Sequence, residues 1–230
     1  MVVAFDRITI TVANLATACN ELKVLTGKEA RILPDSTVSG RVAWLALSNT
    51  TLELVESEDA DNAISALVLA VDAAVDLNNS MGVSLGATDG KATEQFRADF
   101  PGSSTDAIGV DHVVLRCNDG QDCIDLFGTQ LGIRLALDQD VPEWGGRMLF
   151  FRTGKLTLEV LANENTEVNH FWGLTFFNAD LDAWHHSLTE AGVEVSAVRD
   201  GRKPGTRVAS LKSHCLGLPV LLLQPAPRES

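Results

Sequence analysis

The feature that most constrains the fold of this chain is an internal repeat. The segment FDRITITVANLATACNELKVLTGKEARIL, near the start, aligns with VDHVVLRCNDGQDCIDLFGTQLGIRLAL further along the chain. In this alignment Asp6 matches Asp111 and Gly27 matches Gly132, in one fixed register. Several matches in a single register indicate a duplication, so we expect the two halves to share one fold.

The segments that follow repeat as well. GRVAWLALSNTTLELVES aligns with GRMLFFRTGKLTLEVLAN, which pairs Glu53 with Glu159 once one inserted loop residue is allowed. AISALVLAVDAAVDLNNSMGV then aligns without gaps on GLTFFNADLDAWHHSLTEAGV, which pairs Gly82 with Gly192. The sequence therefore predicts two related units in each half.

The units share one plan of secondary structure. Each begins with a short alternating run that is typical of a strand, such as RITITV or HVVLRC. A polar cap such as Asn14, Asp119 or Asp180 follows, and then a helix of about three turns that ends at a glycine. Period-two runs such as RVAWLAL and LTLEVL predict three further strands. The predicted fold class is α+β, built from tandem βαβββ units.

The second unit is degenerate after Gly82. Its segment GATDGKATEQFRADFPGSSTDA holds few β-branched residues, so we predict weak strands or an extended linker there. The expected division is a domain of residues 1–105 and a second domain of residues 106–230.

Composition limits the partners and the compartment. The net charge of −13 and the pI of about 4.7 oppose binding to nucleic acid or to an anionic membrane surface. No apolar stretch approaches a membrane span, and the N-terminus lacks a secretion signal. The 4 cysteines form no CxxC pair, which favours a reducing cytosol over a disulfide scaffold. We expect a cytoplasmic protein.

A tandem βαβββ unit that opens on DHVVL and closes on LTLEVL resembles the vicinal oxygen chelate superfamily. That superfamily includes glyoxalase I, bleomycin-resistance proteins, methylmalonyl-CoA epimerases and extradiol dioxygenases. The resemblance implies two glyoxalase-like domains whose curled mixed sheets surround clefts. It implies no single reaction, because the scaffold carries many chemistries.

The resemblance also implies positions for metal ligands, on the first and last strands of the units. In the third unit these are His112 and Glu159, which we therefore expect to be catalytic and to bind Zn²⁺, Fe²⁺, Mn²⁺ or Ni²⁺. The fourth unit has Gly173 and Leu221 at the corresponding positions, so the ligand set is incomplete. A bound catalytic metal and a metal-free polar pair both remain open interpretations.

The N-terminal half departs further from the pattern. Its first strands carry Arg7 and Ala63 at the histidine position, which leaves Glu53 as its only standard ligand. We expect Arg7 and Glu53 to form a salt bridge across adjacent strands. This half would then serve as a structural cap or a dimer surface rather than as a second active site.

The segment VRDGRKPGTRV concentrates positive charge in an acidic chain. Its turn formers allow a solvated turn, while its cations and glycine-bearing backbone suit a carboxylate or phosphate. The candidate substrate-binding residues of this loop are Arg199, Arg202, Lys203 and Arg207.

Three aromatic residues, Trp144, Phe150 and Trp172, are further candidates for the lining of a ligand pocket. Core packing is the alternative interpretation for each of them.

These observations lead to two functional hypotheses. The first is a lyase, isomerase or dioxygenase-like enzyme that acts on a small carbonyl- or carboxylate-bearing metabolite with the help of a divalent metal. The second is a metal-free binding protein that sequesters a small molecule, as in the bleomycin-resistance branch. The resemblance allows a homodimer in either case.

Overall fold

The computed structural model describes residues 1–34, 40–57, 59–100, 108–144 and 146–227. The elements of the first half follow the predicted order as far as the fourth strand. They are β1 (Val2–Val12), α1 (Leu15–Thr26), β2 (Arg31–Ile32), β3 (Val42–Ala46), β4 (Thr51–Glu56), β5 (Ala63–Val71), β6 (Leu85–Thr88) and α2 (Lys91–Asp99).

The second half contains two complete units. Its elements are β7 (Gly109–Cys117), α3 (Gly120–Cys123) with a π-helical continuation (Ile124–Gln130), β8 (Arg134–Val141), a 3₁₀ turn (Pro142–Trp144), β9 (Gly146–Thr153), β10 (Leu156–Ala162), β11 (His170–Phe177), α4 (Leu181–Glu190), β12 (Arg199–Asp200), β13 (Arg207–Ser210) and β14 (Val220–Gln224).

The strand order repeats from unit to unit within one curled mixed sheet. In the first, third and fourth units the orders are β1-β4-β3-β2, β7-β10-β9-β8 and β11-β14-β13-β12. In each case the first strand is parallel to the last strand of its own unit. The first strands of a half are antiparallel neighbours, β1 with β5 and β7 with β11. The predicted α+β fold of tandem βαβββ units is confirmed.

Helices α1 and α4 begin at the polar caps that the sequence predicts and end within two residues of the predicted glycines. The side chain of Asn14 caps α1 and that of Asp180 caps α4, and Gly27 ends α1 with a positive φ of 69°. Helices α1, α3 and α4 cover one face of the sheet, where alternate residues such as Val113 and Leu158 are fully buried. The opposite face of the sheet is therefore left for polar side chains.

The second unit differs from the prediction in two ways. The segment between β5 and β6 aligns with a helix of the fourth unit but forms no helix. The segment after β6, for which we predicted weak strands or a linker, contains α2. Among the described strands of this unit, the first strand β5 has one partner from its own unit, the parallel strand β6. The part of the predicted linker that spans residues 101–107 lies outside the described residues.

The two halves contact each other through the sheet and the helices. Phe171 of β11 pairs with Ile64 of β5, and the indole Nε1 of Trp184 donates a hydrogen bond of 2.9 Å to the carbonyl of Leu25. Among the described residues, no helix has the length and apolar character that crossing a membrane requires.

Candidate functional site

A β-bulge positions the histidine of the third unit. Along the pairing of β7 with β11, His112 lies opposite Thr175 while Val110 lies opposite Phe176, so Asp111 is an additional residue in β7. A bulge re-aims the side chains of its strand, and bulges are common beside functional sites. The repeated Asp6 has the same role, because the pairing of β1 with β5 shifts at this residue too.

Both ring nitrogens of His112 have partners. Nδ1 lies 2.8 Å from Oδ2 of Asp111, and Nε2 lies 2.7 Å from Oγ1 of Thr175. Because an ionised carboxylate only accepts hydrogen bonds, Asp111 favours the tautomer whose proton is on Nδ1. Nε2 then carries the lone pair.

The carboxylate of Glu159 meets the same nitrogen. The register places Thr157 of β10 beside His112, so Glu159, two residues further on, is on the same face of the sheet. Its Oε2 lies 3.2 Å from Nε2 of His112, and the two side chains are 17% and 18% exposed. The pair is thus largely shielded from water but reachable from one side.

Burial dominates the electrostatics of Glu159. It raises the pKa of the Glu159 carboxyl, while the charge of His112, when its ring is protonated, and the charge of Arg202 act to lower it. A carboxyl whose pKa is raised keeps its proton to a higher pH than an exposed one, which suits it to proton exchange with a bound ligand. The effect of Arg202 also places the end of the 199–207 loop within electrostatic reach of this carboxyl.

The face of the sheet that carries His112, Glu159 and Thr175, here called the C-terminal face, is partly apolar. Phe150 of β9 lies directly opposite Glu159, and residues that pair in this way share a face. The neighbouring side chains of Leu137, Met148, Phe150 and Leu161 on this face are all half-buried. They are accessible enough to contact a small ligand.

Of the other two aromatic candidates, Trp172 lies apart from the pair. Trp172 is 38% exposed, and its ring lies 5.8 Å from the guanidinium of Arg116, towards the far end of β7. The side chain of Trp144 lies outside the described part of the structure.

The cationic side chains of the predicted loop do not all lie on the same side. Arg199 pairs with Val208, and both Arg202 and Lys203 are exposed. Arg207 instead contacts α4: its NH2 group donates a hydrogen bond of 2.8 Å to Oδ1 of Asp182. The prediction that Arg207 belongs with the other loop cations is not supported by this geometry, because strand alternation turns it toward the helix.

The donor set of the C-terminal face does not fit a resident metal centre. Zinc sites in enzymes generally use three protein ligands, whereas this face offers one imidazole and one carboxylate. Within the described residues, no group of three or more histidine, cysteine, aspartate or glutamate side chains could hold a metal ion. His170 pairs with Arg116, and its ring contacts the carbonyl of Val168, so it does not complete the set.

The sequence did not identify two members of this cluster. Counting back from the helix cap pointed to Gly173, where an added side chain would collide with the carbonyl oxygen of Pro219. The side chain that contacts His112 is that of Thr175, because the register of β11 against β7 pairs Thr175 with His112 and Gly173 with Val114. Asp111 was visible only as a repeated residue of unassigned role.

The N-terminal pair lies on the corresponding face of the first half. Nε of Arg7 lies 3.1 Å from Oε1 of Glu53, as the expected salt bridge, although it lacks hydrogen-bond geometry. The same carboxylate accepts hydrogen bonds from Nε1 of Trp44 (3.0 Å) and from Oγ1 of Thr9 (2.8 Å). Both oxygens of Glu53 are therefore used within the protein.

Helix α2 covers this N-terminal face, which we define by Arg7, Thr9, Thr51 and Glu53. Phe96 packs edge-on against Trp44 with ring centroids 5.4 Å apart. Arg97 donates a hydrogen bond of 3.2 Å to Oγ1 of Thr51, and the hydroxyl of Thr93 donates to the buried carboxylate of Asp6. The chain's own helix thus occupies the space in front of the pair.

The sequence of the second half matches a known family. Residues 109–212 match the model of the Glyoxalase/Bleomycin resistance protein/Dioxygenase superfamily. Among curated proteins, none is a significant sequence match to the chain.

One solved structure supports the fold, and a second is similar over about half of the chain. A variant of 4-hydroxymandelate synthase from Streptomyces coelicolor matches 100% of this chain and 95% of its own with a TM-score of 0.75, at 13% identity. Methylmalonyl-CoA epimerase from Mycobacterium tuberculosis matches 52% of this chain and 89% of its own, with a TM-score of 0.45 and 21% identity. The second half of the chain therefore resembles the Glyoxalase/Bleomycin resistance protein/Dioxygenase superfamily over residues 109–212, and the chain as a whole shares the fold of the 4-hydroxymandelate synthase variant.

Proposed function

We propose that the C-terminal face binds a small organic molecule with a carbonyl or carboxylate group, and that His112 and Glu159 exchange a proton with it in a lyase or isomerase reaction. The observation that carries this proposal is the 3.2 Å contact between Nε2 of His112 and Oε2 of Glu159 on a partly apolar, partly open face.

The two residues would have complementary roles in proton transfer. With Asp111 holding the proton on Nδ1, Nε2 of His112 can accept a proton from a carbon next to a carbonyl group. Glu159, whose pKa is raised by burial, can return a proton to the same or a neighbouring atom. The positive charge of Arg202 would stabilise the negative charge that develops on the ligand.

This proposal assigns no step to a metal. A divalent ion would be held by His112 and Glu159 and would supply Lewis-acid stabilisation of a ligand oxygen. It would have to take its remaining ligands from water or substrate, since the described residues offer two standard donors.

The second candidate is ligand binding without chemistry. It is favoured by one observation, which is that Asp111, Thr175 and Glu159 already satisfy both ring nitrogens of His112. A histidine whose ring nitrogens already have hydrogen-bond partners could hold the binding face in shape rather than react with a ligand.

One experiment separates these candidates. The protein is incubated in D₂O with 2-oxo acids (pyruvate, 2-oxobutyrate and 2-oxoglutarate), and deuterium uptake at the carbon next to the carbonyl is followed by NMR. We expect exchange above background that falls about 10²- to 10⁴-fold in His112→Ala and Glu159→Gln. Arg207→Ala, which contacts α4, is the matched control and should exchange as the wild type does.

The other outcomes are equally informative. Thermal stabilisation by an acid without exchange would support the binding candidate, and neither effect with any acid would refute the proposal. Loss of exchange after dialysis against EDTA, with recovery on adding Zn²⁺, Mn²⁺, Ni²⁺ or Fe²⁺, would establish the metal-assisted route.

The remaining expectations stay proposals. These are the division of the chain into domains of residues 1–105 and 106–230, a cytoplasmic location and a homodimer. Size-exclusion chromatography with light scattering would test the last of them.

A further inference from the structure

Two arginines stand opposite each other on the C-terminal face. Arg134 of β8 pairs directly with Arg152 of β9, and Arg152 pairs in turn with Thr157 of β10. Since Thr157 lies beside His112, all four residues form one row across the sheet. Side chains in such a row point to the same face, so both guanidinium groups share the face of His112.

This pairing is unfavourable in the free protein. Like charges directly opposite each other on adjacent strands are destabilising. Both arginines are exposed, and neither guanidinium group has an ion pair or hydrogen bond to another described residue. The chain has 18 lysines and arginines against 31 acidic residues, so carboxylates to pair with them are plentiful. Two arginines that lie opposite each other without a carboxylate between them suggest that an anion from outside the protein pairs with them.

The strand order fixes how far the two arginines lie from His112, where the proposed reaction takes place. Neighbouring strands lie about 4.8 Å apart, so Arg152 is about 10 Å and Arg134 about 14 Å from His112 at the backbone. The 199–207 loop lies on the other side of His112, beyond β11 and β14. The half-buried Phe150 and Leu137 lie one pairing step along β9 and β8 from the arginines, on the same face.

We infer that Arg134 and Arg152 form an anion site for the distal end of the ligand, which is therefore a two-headed molecule. One head, a carbonyl or carboxylate, would lie at His112 and Glu159, and the other, a carboxylate or phosphate, would be held by the two guanidinium groups. A short apolar chain over Phe150 would join them. This inference rests on the proposed function for the reacting head, whereas the distal site rests on the arginine pair itself.

The test compares doubly and singly charged probes of equal length. Dicarboxylates from succinate to suberate, the matching monocarboxylates and 6-phosphonohexanoate are titrated calorimetrically into the full chain at constant ionic strength. We expect a dianion to bind more tightly than the monocarboxylate of its length. Arg134→Gln and Arg152→Gln should each weaken the dianion about 5- to 30-fold and leave the monocarboxylate unchanged. Whether the phosphonate or the dicarboxylate of equal length binds more tightly identifies the distal group of the ligand.

Lys212→Gln is the control for loss of one positive charge, since Lys212 is exposed and lies outside this face. Without ligand and at low salt, removing either arginine should raise Tm by about 1–3 °C relative to this control, because the repulsion is relieved. Equal affinity for dianions and monoanions, unchanged affinity in both arginine variants, or no binding of any probe would overturn the inference. Dianion binding through the arginines without deuterium exchange would instead leave the anion site standing and refute the proposed reaction.

Discussion

The two halves of this chain start from the same local design and end in opposite states. In each half an aspartate sits in a bulge of the first strand, a basic residue follows it, and a glutamate faces that residue from the last strand. In the N-terminal half, the glutamate is bound by Arg7, Trp44 and Thr9 and is covered by α2. In the C-terminal half, the equivalent Glu159 contacts His112 at 3.2 Å, and its neighbours on the same face are half-buried strand residues rather than a helix in the described part of the chain.

The difference shows how a duplicated fold can separate stability from function. The second unit has no helix between β5 and β6, and α2 follows β6 instead. That helix fills the N-terminal face with Phe96, Arg97 and Thr93. The fourth unit keeps its helix on the far side of the sheet, so its own face stays available. The polar pair is thus a packing element in one half and a candidate reactive pair in the other.

The largest effect that tests this contrast is expected from Arg7→Ala. It would leave the carboxylate of Glu53 beneath α2 without the cation of Arg7. We expect the free energy of unfolding to fall by about 2–3 kcal/mol. This is somewhat less than for a fully buried pair, because both side chains keep some exposure. His112→Ala should cost less than about 1 kcal/mol, since Glu159 can become neutral. Urea unfolding measures both, and equal losses would remove the contrast.

A smaller effect is expected from Phe96→Ala. The substitution removes the edge-on contact with Trp44 and part of the cover of the N-terminal face, for about 1–2 kcal/mol. Hydrogen exchange in α2 should accelerate, while ligand binding at the C-terminal face should stay the same. Loss of C-terminal binding in a folded Phe96→Ala protein would mean that the faces are coupled.

The pH dependence of stability distinguishes the two glutamates further. Because burial raises the pKa of Glu159 above its ordinary 4.5, its contribution to stability is complete below about pH 4.5 and is lost as the pH rises through the folded pKa. Glu159→Gln should therefore match the wild type at low pH and become relatively more stable at neutral pH. Glu53→Gln should be less stable than the wild type at neutral pH, because Arg7 loses one of its two charged partners and keeps only the contact with Asp6. Denaturant midpoints between pH 4 and pH 8 test this, and a Glu159→Gln protein that loses stability at neutral pH would contradict it.

The smallest effect is expected from the cationic loop. Arg207→Ala breaks an exposed pair with Asp182 and should leave both stability and ligand affinity essentially unchanged, because solvent screens the pair. Arg202→Ala should weaken the binding of an acidic ligand severalfold, because it lies within electrostatic reach of Glu159. Equal weakening in the two variants would mean that Arg202 and Arg207 do not differ in role as their contacts indicate.

The repeat in the sequence predicted the fold because duplicated strands and helix caps are encoded locally. Asn14, Asp180 and Gly27 are examples, and each acts within one turn of its own position. The partner of His112 could not be predicted in the same way, because the pairing of Thr175 with His112 depends on the register between β11 and β7, which are far apart in sequence. The covering role of α2 and the opposition of Arg134 and Arg152 likewise depend on strand register, which a single sequence specifies weakly.

The central claim is that each chain carries one reactive face, at His112 and Glu159, while its own helix fills the other. Deuterium exchange into 2-oxo acids, measured by NMR for the matched variants Glu159→Gln and Glu53→Gln at a temperature where both are folded, tests it most directly. The account predicts at least a hundredfold loss of exchange in Glu159→Gln and wild-type exchange in Glu53→Gln. Exchange that survives in Glu159→Gln, or that is lost equally in both variants, would contradict it.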